Sequence, residues 1–278
     1  IDEVDETVMA EHDLAHPEDP ITVPALLFYA LKGRSKLNRQ PITILSCDNI
    51  PENGLKLKNA IISYAQRVDP SFISYIDNQV AFPCSMVDRI VPATTEKTLH
   101  SLEQQWNMDD PCAIETEPFL QWVIEDQFAG EIPSWDKIKG VSIVKDVCPY
   151  EEMKLRMLNG THSFFAYVGL LSGYRTVSEC ANHPLFEKAA LALMQYEQQE
   201  TLTIKEIDLV KYAHNLIQRF QNNALEHQLT QIATDGSQKI PQRFIESLLW
   251  REAHNLDSPL LILSIAAWIT YVEQQVDQ

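Results

Sequence analysis

The spacing of apolar positions changes character near residue 144. Before it, short runs rich in β-branched and aromatic residues at 42–46, 86–91, 113–115, 119–124 and 141–144 read as strands. Helical patterns lie between them. An apolar run at 24–32 is expected to form a helix that stops at Gly33, and 55–67 places Leu57, Ala60, Ile61 and Tyr64 on one face. After 144 the period is helical almost throughout: 149–173, 185–197, 204–220, 241–254 and 259–275. The pattern predicts an α/β layer in residues 1–143 and a mainly α-helical domain in 144–278.

One of these helices carries unusual polar residues. The stretch CPYEEMKLRMLNGTHSFFAYVGLLSG, from Cys148, sets Lys154, Asn159 and His162 into an otherwise apolar segment. Pro149 suits a first helical position, and Glu151 and Glu152 supply negative charge where a helix N-terminus favours it. At about 100° per residue the three polar side chains span roughly 140°, with His162 between the other two, so they can converge on one small molecule. A single Lys, Asn or His on a helix is ordinarily solvated or capping; the triple is less easily dismissed. Gly160, costing about 1 kcal/mol in a helix, marks a close approach by another backbone or a ligand.

Charge and cysteine usage narrow the setting. Asp plus Glu number 39 against 22 Lys plus Arg, a net charge of -17 that disfavours general affinity for nucleic acid or an anionic membrane. A small anionic substrate then needs a locally basic pocket. The five cysteines are widely spaced with no C-x-x-C pair, and read as reduced thiols of a cytoplasmic protein. The longest apolar run, 259–272, is too short for a membrane span, and no secretory signal is visible. The chain opens on Ile1 and closes on VEQQVDQ, and both ends read as cut from something longer.

Loops supply further candidates. CDNIPENG at 47–54 crowds Asp48, Asn49 and Asn53 into a turn after a strand, the place where α/β sheets put ligands, although Asn and Asp also serve turns for local reasons. Asp88 and Arg89 inside a strand-like run call for pairing or a polar cleft. In 233–243, ATDGSQKIPQR, Lys239 and Arg243 place two cations in an acidic chain, and Pro241 suits a helix start. His12 and His16, four apart among acidic residues and next to Pro17, fit a solvated loop better than a metal site. No G-x-G-x-x-G, G-x-S-x-G or P-loop pattern occurs in the 278 residues.

Three separated motifs agree with one another: SCDNIPENG at 46–54, FPCSMVDRIVPATT at 82–95 and PYEEMKLRMLNGTH at 149–162. Together they resemble the polyol-specific long-chain dehydrogenases, the mannitol dehydrogenase family, which includes the hexuronate reductases. The resemblance covers nearly the whole chain. It implies an α/β remnant of a Rossmann-like nucleotide domain over 1–143, without its glycine-rich portion, and a helical substrate domain over 144–278. It also implies metal-independent, NAD-linked interconversion of a secondary alcohol and a ketone. By this resemblance Lys154 is the general base in oxidation and the acid in reduction. Asn49 and Asn159 hold the reacting oxygen, His162 positions substrate, and Glu151 serves proton passage to the lysine. Asn49 and Asp88 are expected toward the cofactor, and Asp88, Lys239 and Arg243 toward the substrate, with Arg243 suited to a sugar-acid carboxylate.

Within the family, QIATDGSQKIPQR looks most like the fructuronate reductases, the mannonate oxidoreductases. Mannitol-oxidising members tend to carry arginine where this chain has Gln231. The expectation is D-mannonate to D-fructuronate with NAD, against tagaturonate reduction or polyol oxidation, or a non-catalytic sugar-acid binding or assembly module. If the 278 residues were the whole protein, NAD binding should fail, which an NADH titration would read.

Overall fold

Thr22 opens the first long helix: its hydroxyl accepts the Ala25 N–H, and α1 (Val23–Lys36) follows with Pro24 in its first turn. The computed structural model describes residues 11–276. The expected stop at Gly33 does not occur. A lone glycine costs a helix only about 1 kcal/mol, so α1 runs through it to Lys36 and breaks where Asn38 turns left-handed, φ 49°.

Contacts divide the described residues into two compact units. One holds those up to Val87 together with Leu120–Cys148; the other holds Asp88–Phe119 and those from Pro149 onward.

In the first unit, Phe28 of α1 meets Tyr64 and Phe72 edge-on, at 5.4 and 5.5 Å between ring centroids, with Ile61 and Ile76 fully buried alongside. β1 (Ile42–Thr43) runs parallel to β2 (Val80–Ala81), and the connection between them carries α2 (Asn53–Val68) and α3 (Ile73–Gln79). That is the crossover a parallel pair demands. A three-stranded sheet follows in the order β3 (Ser85–Asp88), β4 (Gln121–Glu125), β5 (Val141–Val144), with β4 and β5 parallel.

The readings at 42–46, 86–91, 119–124 and 141–144 fall on strands, the first two running past the observed ends. Beyond Thr43 the run makes one more backbone bond, Ile44 N–H to Ala81 O at 2.9 Å, and then turns. The strand expected at 86–91 ends at Asp88. Residues 113–115 form no strand: Ile114 is exposed, and Ala113 O is taken by the Thr94 hydroxyl.

The second unit is built almost wholly of helices around Phe164, Phe165, Leu193, Leu216, Phe220 and Phe244. α4 (Glu96–Trp106) is capped by Thr95. α5 (Cys148–Met153) leads through a π-helical turn, Lys154–Asn159, into α6 (Gly160–Leu171). Then come α7 (Val177–Ala181) and α8 (Pro184–Ala192), the latter running into a second π turn, Leu193–Gln198. α9 (Leu209–Phe220) begins later than the apolar run from Ile204 suggests, because the Asp208 carboxylate accepts the Lys211 N–H and fixes the start there. α10 (Leu229–Ile232) and α11 (Gly236–Ile240) precede a third π turn, Pro241–Ile245, then α12 (Glu246–Ala253) and α13 (Pro259–Val276). Pro241 therefore sits inside a continuous helical path and does not start one. Lacking an N–H, it is accommodated where the ladder is already widened. No helix among the described residues is long and apolar enough to cross a membrane.

Candidate active site

The site is organised by the π turn. Asp146 Oδ1 accepts the Cys148 N–H at 2.9 Å, fixing the start of α5, and Pro149 occupies its first turn. Six residues on, the ladder widens and the Gly160 N–H reaches back to Leu155 O, five residues earlier. A π turn brings i and i+5 onto one face, as an α-helix does for i and i+4. Lys154 and Asn159 stand at its two ends, five apart, so they are closer in azimuth than the 140° arc of a regular helix allows. The extra residue is what aligns them.

The four candidate polar groups of this helix are buried: Lys154 and His162 are 7% exposed, Asn159 5%, and Glu151 is buried with them. Burial is the largest influence on the Lys154 amine. The nearby cations Arg243 and Arg219 press the same way, while Asp88 and Glu151 press back, and the pKa falls to about 8. His162 is held well below its ordinary value, first by burial and then by His227, Arg243, Arg219 and Lys154, so it is a neutral imidazole at pH 7. Among the described residues neither His162 Nε2 nor Asn159 Nδ2 has a hydrogen-bond partner. An orphaned buried donor costs about 1–3 kcal/mol, so both point to a polar ligand.

Asp88, expected toward substrate and cofactor, spends its carboxylate on a neighbour. Both its oxygens accept from Arg219, at 2.7 and 2.9 Å, and the same guanidinium donates to both oxygens of Glu117, at 2.7 and 3.0 Å. Glu117 also accepts the Ile90 N–H at 2.7 Å, and Phe119 lies 4.0 Å from the guanidinium carbon. The charge inside the strand-like run is thus paired, and its action on Lys154 is through the field. Arg219 and Glu117 escaped the sequence reading because they lie 131 and 29 residues from Asp88 with no shared motif.

Arg243 sits in the third π turn, which packs on the first. Its Nη1 donates to Ser163 Oγ at 2.8 Å and to Asn159 O at 3.3 Å. Among the described residues no carboxylate pairs with it, and burial pushes its pKa down to about 10, leaving a charged guanidinium without a counter-ion. Lys239 is differently placed: its amine caps the end of α10, donating to Thr234 O at 2.6 Å and Ile232 O at 3.5 Å. Gly160 is needed because the Gln198 carboxamide fills the place of a Cβ, with Arg243 O at 3.4 Å from that position. The close approach is by a side chain and one carbonyl.

Asn49 belongs to the first unit, exposed in the turn after β1. The turn is braced from beneath: Asn53 Nδ2 donates to Asp48 O at 3.0 Å and Ser85 O at 2.7 Å, and Asn53 Oδ1 accepts the Ser85 N–H. Gly54 lies so close to Phe82 O and Pro83 O that no Cβ fits, and Glu52 takes a left-handed φ of 54°. The result is a rigid loop presenting Asp48 and Asn49 at the carboxyl end of a parallel pair. Such donors and acceptors fit the amide and hydroxyl groups of a dinucleotide.

Two family models match the chain: the mannitol dehydrogenase Rossmann domain over residues 3–137 and the mannitol dehydrogenase C-terminal domain over 146–278. D-mannonate oxidoreductase of Escherichia coli K12 is 46% identical over 271 residues, covering 97% of this chain and 55% of that protein. The oxidoreductase YeiQ of the same organism is 49% identical, covering 94% and 53%. Among solved structures, Pseudomonas fluorescens mannitol 2-dehydrogenase in ternary complex with NAD and D-mannitol superposes with a TM-score of 0.85 at 37% identity, covering 95% of this chain and 54% of that one. The chain spans about half the length of the curated relatives it matches.

Proposed function

This chain belongs to the mannitol dehydrogenase family, and from that premise we propose that it carries the catalytic helix of an NAD-linked oxidoreductase interconverting D-mannonate and D-fructuronate. The observation that carries the reading is Lys154: a buried amine, lowered to about 8, on the same π turn as the unpartnered carboxamide of Asn159. A base that works near neutral pH needs a pKa in that region.

NAD supplies or accepts the hydride. In reduction the Lys154 ammonium gives its proton to the carbonyl oxygen, and Asn159 Nδ2 donates a hydrogen bond that stabilises the charge developing there, an effect worth roughly 3 kcal/mol for one well-placed donor. In oxidation the neutral amine takes the hydroxyl proton. Glu151, buried one turn before Lys154, offers a carboxylate for the onward passage of that proton. His162, neutral and unpartnered at Nε2, orients a substrate hydroxyl. Asn49 enters through its motif, as a cofactor contact in the turn after β1.

The sugar-acid reading rests on Arg243. A buried guanidinium with no carboxylate of its own favours an anionic substrate over a neutral polyol, and its planar fork suits a carboxylate. The 46% identity to D-mannonate oxidoreductase supports the same choice. NADH oxidation by the full-length protein with D-fructuronate, D-tagaturonate and D-fructose tests it. The expected order puts fructuronate first by at least about tenfold in kcat/KM, and fructose last. Faster turnover of fructose than of either acid would favour a polyol dehydrogenase. Binding of the acids without turnover would leave a non-catalytic module.

A further inference from the structure

The proposed site contains a second imidazole that the reaction described above does not use. His227 lies in the segment between α9 and α10, with its ring 5.3 Å from that of His162, centroid to centroid, at an interplanar angle of 79°. Its backbone is pinned on both sides. Its carbonyl accepts the Val177 N–H at 3.0 Å, its own N–H donates to Leu225 O at 2.9 Å, and the next residue, Gln228, bridges to Thr176. The backbone that carries the imidazole is therefore fixed against the opening of α7. The His227 Nδ1 is shut off from solvent and has no hydrogen-bond partner among the described residues, which is also true of His162 Nε2.

Two adjacent imidazoles, each with one buried and unanswered ring nitrogen, leave a pair of polar atoms that packing alone does not explain. Apolar residues would fill the same space without the desolvation penalty. Phe220 also packs on the His162 ring, 4.6 Å away between centroids. Burial lowers the pKa of both rings, which keeps each neutral and able to donate at one nitrogen and accept at the other. That is the hydrogen-bonding complement of a hydroxyl group.

We infer that His227 is a substrate-specificity residue, which with His162 brackets a hydroxyl of the open-chain sugar acid away from the reacting carbon. The inference rests on the proposed function and adds to it a residue that fixes which polyhydroxy chain is accepted. It sets no rate for the chemical step, because His227 is neither the proton donor nor a donor to the reacting oxygen.

The test is the KM-against-kcat split in the full-length protein with NADH and D-fructuronate. His227→Ala should raise KM about tenfold with kcat changed by less than about threefold, the size expected for one lost hydrogen bond to a bound hydroxyl. His227→Asn, which returns a polar atom near the Nδ1 position, should recover most of the loss. A purely structural histidine would show no such rescue, or would lower the unfolding midpoint of both variants alike. In parallel, the ring-nitrogen resonances of His227 in 15N-labelled protein should shift when D-mannonate is added. A shift without turnover of any substrate would overturn the proposed function and keep the inference. Turnover with no shift and an unaltered KM in His227→Ala would overturn the inference alone.

Discussion

Arg219 holds Asp88 by both carboxylate oxygens, Nη1 to Oδ2 at 2.9 Å and Nη2 to Oδ1 at 2.7 Å, across 131 residues of sequence. Glu117 grips the same guanidinium, so two buried carboxylates share one cation. The triad holds Asp88 in place, and Asp88 opposes the fall in the pKa of the Lys154 amine.

Arg219→Leu strands both carboxylates. Breaking a buried ion network in this way costs about 3–5 kcal/mol, and a denaturant melt should show that loss as a lowered midpoint. A change within about 0.5 kcal/mol, the range of ordinary surface substitutions, would contradict the buried pairing.

Gly160→Ala drives a methyl group into the fully buried Gln198 carboxamide. Overpacking of this kind costs about 1–3 kcal/mol. Adding Gln198→Ala to the same chain should return part of that loss, and full additivity of the two substitutions would show that the residues do not touch.

Arg243→Met removes the uncompensated guanidinium. For a sugar acid the lost charged hydrogen bonds, about 1.5–3 kcal/mol, should raise KM by roughly tenfold to a hundredfold. For a neutral ketose KM should hardly move. Equal effects on the two substrates would assign Arg243 to holding Ser163 and Asn159 in place and not to the carboxylate.

Lys154 also links pH to stability. Its folded pKa of about 8 lies below the value of about 10.4 for an exposed lysine. Below pH 8 the amine is protonated in both states and the folded form bears the whole burial cost; between about 8 and 10.4 the unfolded chain holds more proton, so stability rises with pH. Lys154→Met should therefore be more stable than the parent at pH 7, by up to about 3 kcal/mol, and that advantage should fade as the pH approaches 10.4. An advantage independent of pH would contradict the depressed amine.

Much of this was legible in the sequence. The helix expected at 55–67 falls within α2 (Asn53–Val68) and Val141–Val144 is a strand at the residues expected, whereas the Thr95-capped α4 (Glu96–Trp106) was not read. The PYEEMKLRMLNGTH motif led to Lys154, Asn159 and His162, which share a buried environment. The π turn that aligns the first two was not legible, because widening the ladder by one residue leaves no mark on apolar spacing. Arg219, Glu117 and Gln198 were hidden for another reason. Each acts by a contact between distant segments, and an isolated Arg, Glu or Gln in a sequence carries no sign of its partner. Asp208 is a local case: its carboxylate caps α9 and sets the start at Leu209, past Ile204 where the apolar run begins.

The central claim is that Lys154 moves the proton, and the pH dependence of kcat/KM for D-mannonate oxidation in the parent and in Lys154→Ala tests it most directly. The account predicts a rate that rises with pH through a group near 8 and then levels, with that limb missing in the variant and the rate lower by about 10²–10⁴. An unchanged limb and an unchanged rate in Lys154→Ala would contradict it.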